Sequence, residues 1–414
     1  MNKTLPTFIL LILCAFASVT AQNTDSLKVK FNGFLRFDYW NDTRVTDEAI
    51  EGIFTLVPSA KLFDSHGNDL NDKASANALA ISSRVKLGIS GTKVLGAAAS
   101  GLLEADFTGA SGSSRFRLRH AAITLGWTKS SLLIGSYWHQ MVVPDAFPSV
   151  IALNTGAPFQ CFNRSPQVTY NYKLTKSFQA TASAAWESDY MSIGPDGPNS
   201  KYLRYTSIPD ITLHLRYTAS EFTFGALSEL FWLQPRLFTV NSTGDKKQTN
   251  TLLRSLSYQG YAKYTGDKLF IVGRAMVGQN LAHHYSIGGY GVTSIDAATG
   301  HESYSNFNHF YTYLNVGYGK TVKPSIFVGY LKNLGTSETI LGGSTNMYGR
   351  SLNVLSMIRI APNISWTINN MMLAAEVEYD NAEYGTLTPN SKGSFTNTYH
   401  VSNTRVLFIA QYNF

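Results

Sequence analysis

The chain ends with the stretch TRVLFIAQYNF at positions 404–414. Every second residue from Val406 to Phe414 is apolar or aromatic, while Arg405, Gln411 and Asn413 fall between them. Successive side chains of a β-strand point to opposite faces, so this stretch predicts a strand with one apolar and one polar face. An apolar face that ends in aromatic side chains is typical of a strand whose outer side meets the edge of a lipid bilayer.

The same period of two recurs through the chain, at 27–40, 79–90 and 211–217 for example. Short and long connections alternate between the strands. The short turns are predicted at 91–93, 128–130, 175–176, 219–221, 265–267, 320–322 and 369–370. The long loops are predicted at 41–77, 109–114, 140–164, 188–206, 237–254, 282–306, 336–348 and 381–400. This layout predicts about 16 strands in an antiparallel transmembrane β-barrel, with short periplasmic turns and long extracellular loops.

Composition supports an all-β membrane fold. Only 15% of the 414 residues are charged and 13% are aromatic, whereas soluble domains average about 25% charged residues. The mean hydropathy is −0.08, and beyond position 22 no apolar run reaches the length of a membrane helix. A soluble β-sandwich would need more surface charge. In hydrocarbon a sheet must close on itself, because its edge groups find no water to bond.

The first 21 residues have the pattern of a secretory signal peptide: Lys3, then an apolar stretch, then small residues before Gln22. We therefore expect residues 1–21 to be cleaved and residues 22–414 to form the barrel. Cleavage would leave Cys161 as the only cysteine, which excludes an internal disulfide. We expect Cys161 to be a buried small apolar side chain.

The densest charged segment contains Arg115, Arg117 and Arg119, which share one strand face. Facing lipid, each arginine would cost about 2–4 kcal/mol, so the lumen is the expected place. Glu104 and Asp106 share a face of the preceding strand and are expected to meet these arginines. Two interpretations stay open: an ion-pair ladder that stiffens the wall, or a cationic track for anionic solutes. Other charged residues assigned to the lumen are Lys28, Lys30, Arg36, Asp38, Arg84, Lys86, Glu187, Arg216, Arg274, Glu376 and Glu378.

The third long loop, 140–164, has three prolines, several apolar residues and few charges. Loops of this length are usually functional or disordered, and the apolar content favours packing. We expect this loop to fold inward and narrow a pore; an ordered external cap is the alternative. Its two charged residues, Asp145 and Arg164, are the candidates for a constriction pair.

A resemblance to the porin superfamily rests on RFRLRH at 115–120, YWHQ at 137–140, PDAFP at 144–148 and the terminal Phe414. The chain is most similar to DcaP-like porins. The resemblance implies a homotrimer in the outer membrane of a Gram-negative bacterium, which passes small hydrophilic solutes, often anions, by passive diffusion. Phe408, Tyr412 and Phe414 resemble the C-terminal signal through which barrel-insertion machinery recognises such proteins.

Other classes of protein fit less well. The formal charge of +7 is too small and too dispersed for nucleic-acid binding. A TonB-type transporter would need a plug domain, and we expect none between 22 and 26. An adhesin on the same barrel stays an alternative.

A hydrolase is disfavoured because no G-x-S-x-G motif occurs, so we expect no enzyme activity and no cofactor. His283 and His284, if they lie on a strand, point to opposite faces and make a poor chelate, so we expect no metal.

Overall fold

The structure is a computed structural model that describes residues 27–109 and 115–414; the expected signal peptide lies outside them. Sixteen antiparallel strands form a closed barrel, as the sequence predicts. Closure is made by the first and last strands, which pair from Phe34↔Asn413 to Asp42↔Arg405. The strands are β1 Lys28–Asp42, β2 Arg84–Val94, β3 Ala97–Asp106, β4 Arg117–Gly126, β5 Ser130–Trp138, β6 Arg164–Lys173, β7 Phe178–Ala185, β8 Asp210–Ala219, β9 Phe222–Leu233, β10 Leu253–Thr265, β11 Leu269–Gln279, β12 Glu302–Tyr318, β13 Val322–Thr336, β14 Val354–Ile368, β15 Met371–Leu387 and β16 Phe395–Asn413.

The long connections carry the remaining elements. Three short strands extend the barrel sheet, namely Ser75–Leu79, Gly288–Ile295 and Met347–Arg350. Three separate hairpins are Thr46–Ala49 with Phe54–Pro58, Ile193–Gly194 with Gly197–Pro198, and Phe238–Val240 with Lys246–Gln248. The helices are an α-helical turn at Lys201–Arg204 and 3-10 turns at Gln140–Val142, Pro144–Ala146, Leu281–His284 and Ser344–Asn346. Among the described residues, no helix is both long and apolar enough to cross a membrane.

The outer face of the barrel is apolar. Phe31 and Leu35 on β1 are 62% and 61% exposed, as an outward-facing lipid contact requires. Phe408, Tyr412 and Phe414 lie on the outer face of β16, and the rings of Phe31 and Phe414 approach to 5.7 Å across the β1–β16 seam. The architecture is that of a multi-pass outer-membrane barrel.

Most short turns lie where the sequence predicts them, with two corrections among the connections. The turn predicted at 91–93 is instead formed by Leu95 and Gly96, both with positive φ, because a bulge after Ile89 carries β2 further. The loop predicted at 381–400 shrinks to 388–394, because β15 and β16 continue to 17 and 19 residues. A membrane crossing needs only about 9–11 residues, so these strands extend beyond the bilayer.

The interior contains a hydrophobic core. The hairpin Thr46–Ala49 with Phe54–Pro58, here called the first-loop hairpin, and residues 139–163, here called the third loop, pack against inward side chains of the wall. Phe54 and Phe162 make an edge contact with centroids 4.9 Å apart. Cys161 is fully buried in this core, as expected, and burial raises the pKa of its thiol.

The histidine pair does not lie on a strand. His283 and His284 belong to the 3-10 turn Leu281–His284, and both are buried. The expectation of opposite faces is therefore wrong, since residues on a helical turn are not constrained to alternate as they are on a strand.

Gly135 on β5 should be hard to replace. Its φ is +131°, and an added Cβ would lie 2.1 Å from the carbonyl oxygen of Ala121 on β4. We predict that Gly135→Ala lowers the free energy of unfolding by at least about 1–3 kcal/mol, the cost of a strained backbone. Urea unfolding in detergent micelles measures this free energy of unfolding. Gly88→Ala on β2 is the control, because its nearest neighbour would be 3.8 Å away. Equal losses in both variants would contradict the prediction.

Candidate functional site

An ion-pair cluster lies on β3 and β4. Arg119 donates from Nε to Glu104 Oε1 at 2.8 Å and from Nη1 to Asp106 Oδ2 at 2.7 Å. All three side chains are less than one tenth exposed. The expected pairing of the two acids with the arginines is present. Arg119 is buried, and both acids accept hydrogen bonds from it. Its charge therefore stabilises the wall of the barrel.

Two other cations share the same acids but remain open to water. Arg117 approaches Asp106 at 3.4 Å, and Arg84 on β2 approaches Glu104 at 3.5 Å. Their side chains are 20% and 21% exposed. The looser geometry leaves part of each guanidinium available to a solute.

Arg115 does not extend the row of arginines as expected. β4 begins only at Arg117, and a register shift next to Glu104 offsets the two strands. Arg115 instead pairs at 2.6 Å with Glu51 from the first-loop segment. Both side chains are 38% exposed and line a cavity of about 690 Å³, which Arg117 also borders.

Lys86 and Arg36 occupy neighbouring positions of the wall. Lys86 is half-buried and pairs in register with Asn32 on β1 and with Glu104 on β3, which places it beside the cluster. Arg36 binds Asp38 at 2.6 Å and donates to the carbonyl oxygen of Ile151 at 2.8 Å. Arg36 thus links the wall to the third loop.

Charged wall residues hold the third loop through its backbone. Glu376 on β15 accepts hydrogen bonds from the N–H groups of Ile151 at 2.7 Å and Ala152 at 3.0 Å. On β14, Arg359 donates to the carbonyl oxygen of Ala157 at 2.8 Å. A loop buried among apolar side chains must bond its own peptide groups, and the wall supplies the partners.

Asp145 and Arg164 do not form a pair. Asp145 contacts Arg216 on β8. Arg164 is the first residue of β6, is 4% exposed and stacks between Trp138 and Tyr190, with its guanidinium 4.9 and 5.2 Å from the two ring centroids. The two charges have separate partners because Asp145 of the third loop lies beside β8, whereas Arg164 begins β6.

Sequence reasoning missed two further buried pairs, one between β14 and β15 and one between β16 and β1. Arg359 binds Asp380 at 2.7 Å, and Arg405 on β16 binds Asp42 on β1 at 2.6 Å. All four side chains are at most 4% exposed. The charges could be placed on inward faces from the period of two, but the choice of partners depends on the register between strands.

Acidic and basic side chains differ in their access to water. The inward acids of the strands are less than one tenth exposed, and they are Asp38, Asp42, Glu104, Asp106, Asp210, Glu229, Glu376, Glu378 and Asp380. Several inward bases are half-buried or exposed, and they are Lys30, Arg84, Lys86, Arg117, Arg216, Lys263 and Lys323. An exposed acid of the third loop, Asp145, offsets Arg216 only. Where water reaches the strands, the wall carries mostly positive charge.

The bonds from Glu376 to the third loop should stabilise the fold. Glu376→Ala would leave two buried N–H groups without an acceptor, at about 1–3 kcal/mol each. We predict a matching fall in the free energy of unfolding, measured by urea titration in micelles. Glu383→Ala is the control, because Glu383 lies on the same strand outside the buried inner row and bonds only Ser356. If Glu376→Ala unfolds like Glu383→Ala, the proposed anchoring of the loop is wrong.

No protein-family model matches the chain, and no curated protein matches its sequence. Solved structures match in fold. The outer membrane channel DcaP of Acinetobacter baumannii is 18% identical, with a TM-score of 0.63 over 94% of this chain and 98% of that one. The trimer form of the Vibrio cholerae outer membrane protein OmpT is 12% identical, with a TM-score of 0.54 over 94% and 100%. The anion-selective porin from Comamonas acidovorans is 10% identical, with a TM-score of 0.54 over 94% and 100%. The chain thus has the fold of outer-membrane porins.

Proposed function

We propose that the protein is a porin of the Gram-negative outer membrane, a passive diffusion channel for small hydrophilic solutes with a mild preference for anions. The observation that carries this proposal is the closed sixteen-strand barrel, apolar outside and charged within. A wall that faces lipid on one side and ionisable groups on the other suits a water-filled path. The fold shared with the channel DcaP and with an anion-selective porin supports it.

The anion path would follow a row of cations along β1, β2 and β4. We define the basic stripe as Arg115, Arg117, Arg84, Lys86 and Lys30. Arg84 and Arg117 are both paired in register with Asp106, Lys86 follows two residues along β2, and Lys30 faces Gly88. The row therefore descends from the cavity beside Arg115 to the end of the barrel that bears the short turns.

The ion pairs of the basic stripe are loose, which suits the passage of an anion better than its tight binding. A channel needs sites that attract a solute but release it quickly. The partly exposed guanidinium groups of Arg84 and Arg117 already share acids, at 3.5 and 3.4 Å. Each cation can therefore offer only part of its charge to a passing anion. A weak preference, without tight binding, is the expected result.

The third loop and the first-loop hairpin would limit the size of solutes. Both pack inside the wall and share a hydrophobic core with it. Their burial removes volume from the lumen and leaves the basic stripe on one side. We propose that these two segments set the narrowest part of the channel.

Neutralising two cations of the basic stripe should change ion selectivity. We predict that Arg115→Gln with Lys86→Gln shifts the zero-current potential in a KCl gradient toward that of a cation-preferring channel. Lys332→Gln is the control, since Lys332 is exposed on β13 next to the buried Leu331 and so faces outward. An unchanged potential in the double variant would refute the anion path, and purified protein without stepwise conductance would refute the porin itself.

We further infer that the protein forms a homotrimer, because a barrel of the same fold, OmpT, has a trimer form. The expected result is a slowly migrating band from an unheated detergent extract, which heating converts to the monomer. Crosslinking before electrophoresis gives an independent count of subunits. A crosslinked ladder that stops at one or two subunits would contradict the trimer.

A further inference from the structure

Five ionisable side chains meet inside the barrel, away from the basic stripe. His139 directly follows β5, Asp210 begins β8, Glu229 lies on β9, and His283 and His284 come from the 3-10 turn Leu281–His284. Each is at most 4% exposed. Two strands and two loop segments therefore converge on a single buried point.

The donor atoms lie close together. Glu229 Oε1 is 2.5 Å from His284 Nε2, and Asp210 Oδ2 is 3.2 Å from His139 Nε2. One donor atom from each of these four residues lies within 4.8 Å of the others. Four tetrahedral bonds of about 2.0–2.2 Å to one zinc ion place the donor atoms roughly 3.3–3.6 Å from one another. Binding therefore requires Glu229 Oε1 and His284 Nε2, now 2.5 Å apart, to separate, and the most distant donor atoms to approach, each by about 1 Å.

Several polar atoms of the cluster lack hydrogen-bond partners within the described part of the chain. They are His139 Nε2, Asp210 Oδ1, Glu229 Oε2 and both ring nitrogens of His283. A buried polar atom without a partner is costly, so such atoms are few in folded proteins. A bound cation would satisfy the carboxylate oxygens and an imidazole nitrogen together.

We propose that His139, Asp210, Glu229 and His284 bind one divalent transition-metal ion. Two imidazoles with two carboxylates are a donor set that zinc accepts in tetrahedral geometry. Imidazole favours zinc, copper or nickel over magnesium and calcium, which prefer oxygen ligands. The ion fastens the start of the third loop and the turn Leu281–His284 to β8 and β9.

Two neighbouring residues contact the ligands. Asn163 Nδ2 lies 3.1 Å from His284 Nδ1. A ligating His284 would carry its proton on Nδ1, so metal binding requires the Asn163 amide to turn its oxygen to that nitrogen, where it would accept the N–H as partners of ligating histidines do in known metal sites. His283 Nε2 stands 3.8 Å from both carboxylates, where a protonated His283 would compete with the cation. The competing state of these residues is a metal-free network of the histidines and the two carboxylates.

Zinc binding to the full chain in detergent tests the proposal. Protein treated with EDTA and dialysed would be given ZnCl₂, and bound zinc measured by elemental analysis and calorimetry. We expect one zinc per chain and a rise in the thermal unfolding midpoint. His284→Gln and Glu229→Gln should abolish both effects. His309→Gln is the matched control, because His309 is fully buried, its ring nitrogens have no hydrogen-bond partner among the described residues, and it lies outside the cluster.

A variant that keeps all four ligands separates loss of zinc binding from misfolding. Asn163→Ala keeps all four ligands and should weaken zinc affinity by about 10–100-fold, as loss of a supporting partner does elsewhere. Heat-modifiable migration on gels verifies that each barrel is folded. Folded wild-type protein that takes up no zinc would overturn the proposal in favour of the metal-free network. Equal zinc uptake by wild type, His284→Gln and Glu229→Gln would overturn it as well.

Discussion

The seam between β1 and β16 is the contact on which the rest of the structure depends. In hydrocarbon, peptide groups at a sheet edge have no partner, so an open sheet of these strands could not cross a bilayer. Gly33 and Phe414 exchange two backbone hydrogen bonds of 3.1 Å at the end of the seam. The backbone passes so close to β2 here that a Cβ on Gly33 would lie 2.2 Å from the carbonyl oxygen of Arg84.

Closure creates a second demand inside the barrel. Charged side chains kept out of lipid are forced together in the lumen, where each buried charge needs a partner. The ladder of Arg119 with Glu104 and Asp106 meets this demand between neighbouring strands. On the far wall, Arg359 and Glu376 meet it partly through the backbone of the third loop. The third loop and the wall therefore supply hydrogen-bond partners to each other.

The membrane explains how much could be predicted from sequence. Lipid imposes a strict outward–inward alternation, so strand number, the outer face and most short turns follow from the period of two. The turn at Leu95 and Gly96 was misplaced because a bulge inside β2 leaves no clear sign in composition. The loop at 381–400 was overestimated because, beyond the bilayer, polar strands no longer alternate with apolar residues.

Partners within the interior were harder to predict, for a different reason. Asp145 and Arg164 are close in sequence, yet their contacts are with Arg216 and Tyr190, which other loops and strands deliver. His283 and His284 lie at the start of a predicted long loop, and only the fold brings His284 to Glu229, 55 positions away. Such contacts depend on register and loop path, which local periodicity does not contain.

The sign of the charge that water can reach also follows from loop path. Glu376 and Glu378 receive hydrogen bonds from Ile151 and Asn154, so the third loop covers the acid-rich wall of β15. The same loop leaves the cations of β2 and β4 partly open. A barrel whose inward acids are buried can therefore present a positive passage. In the proposed channel the third loop would determine both the width of the lumen and the preference for anions, because the same packing covers the acids and narrows the lumen.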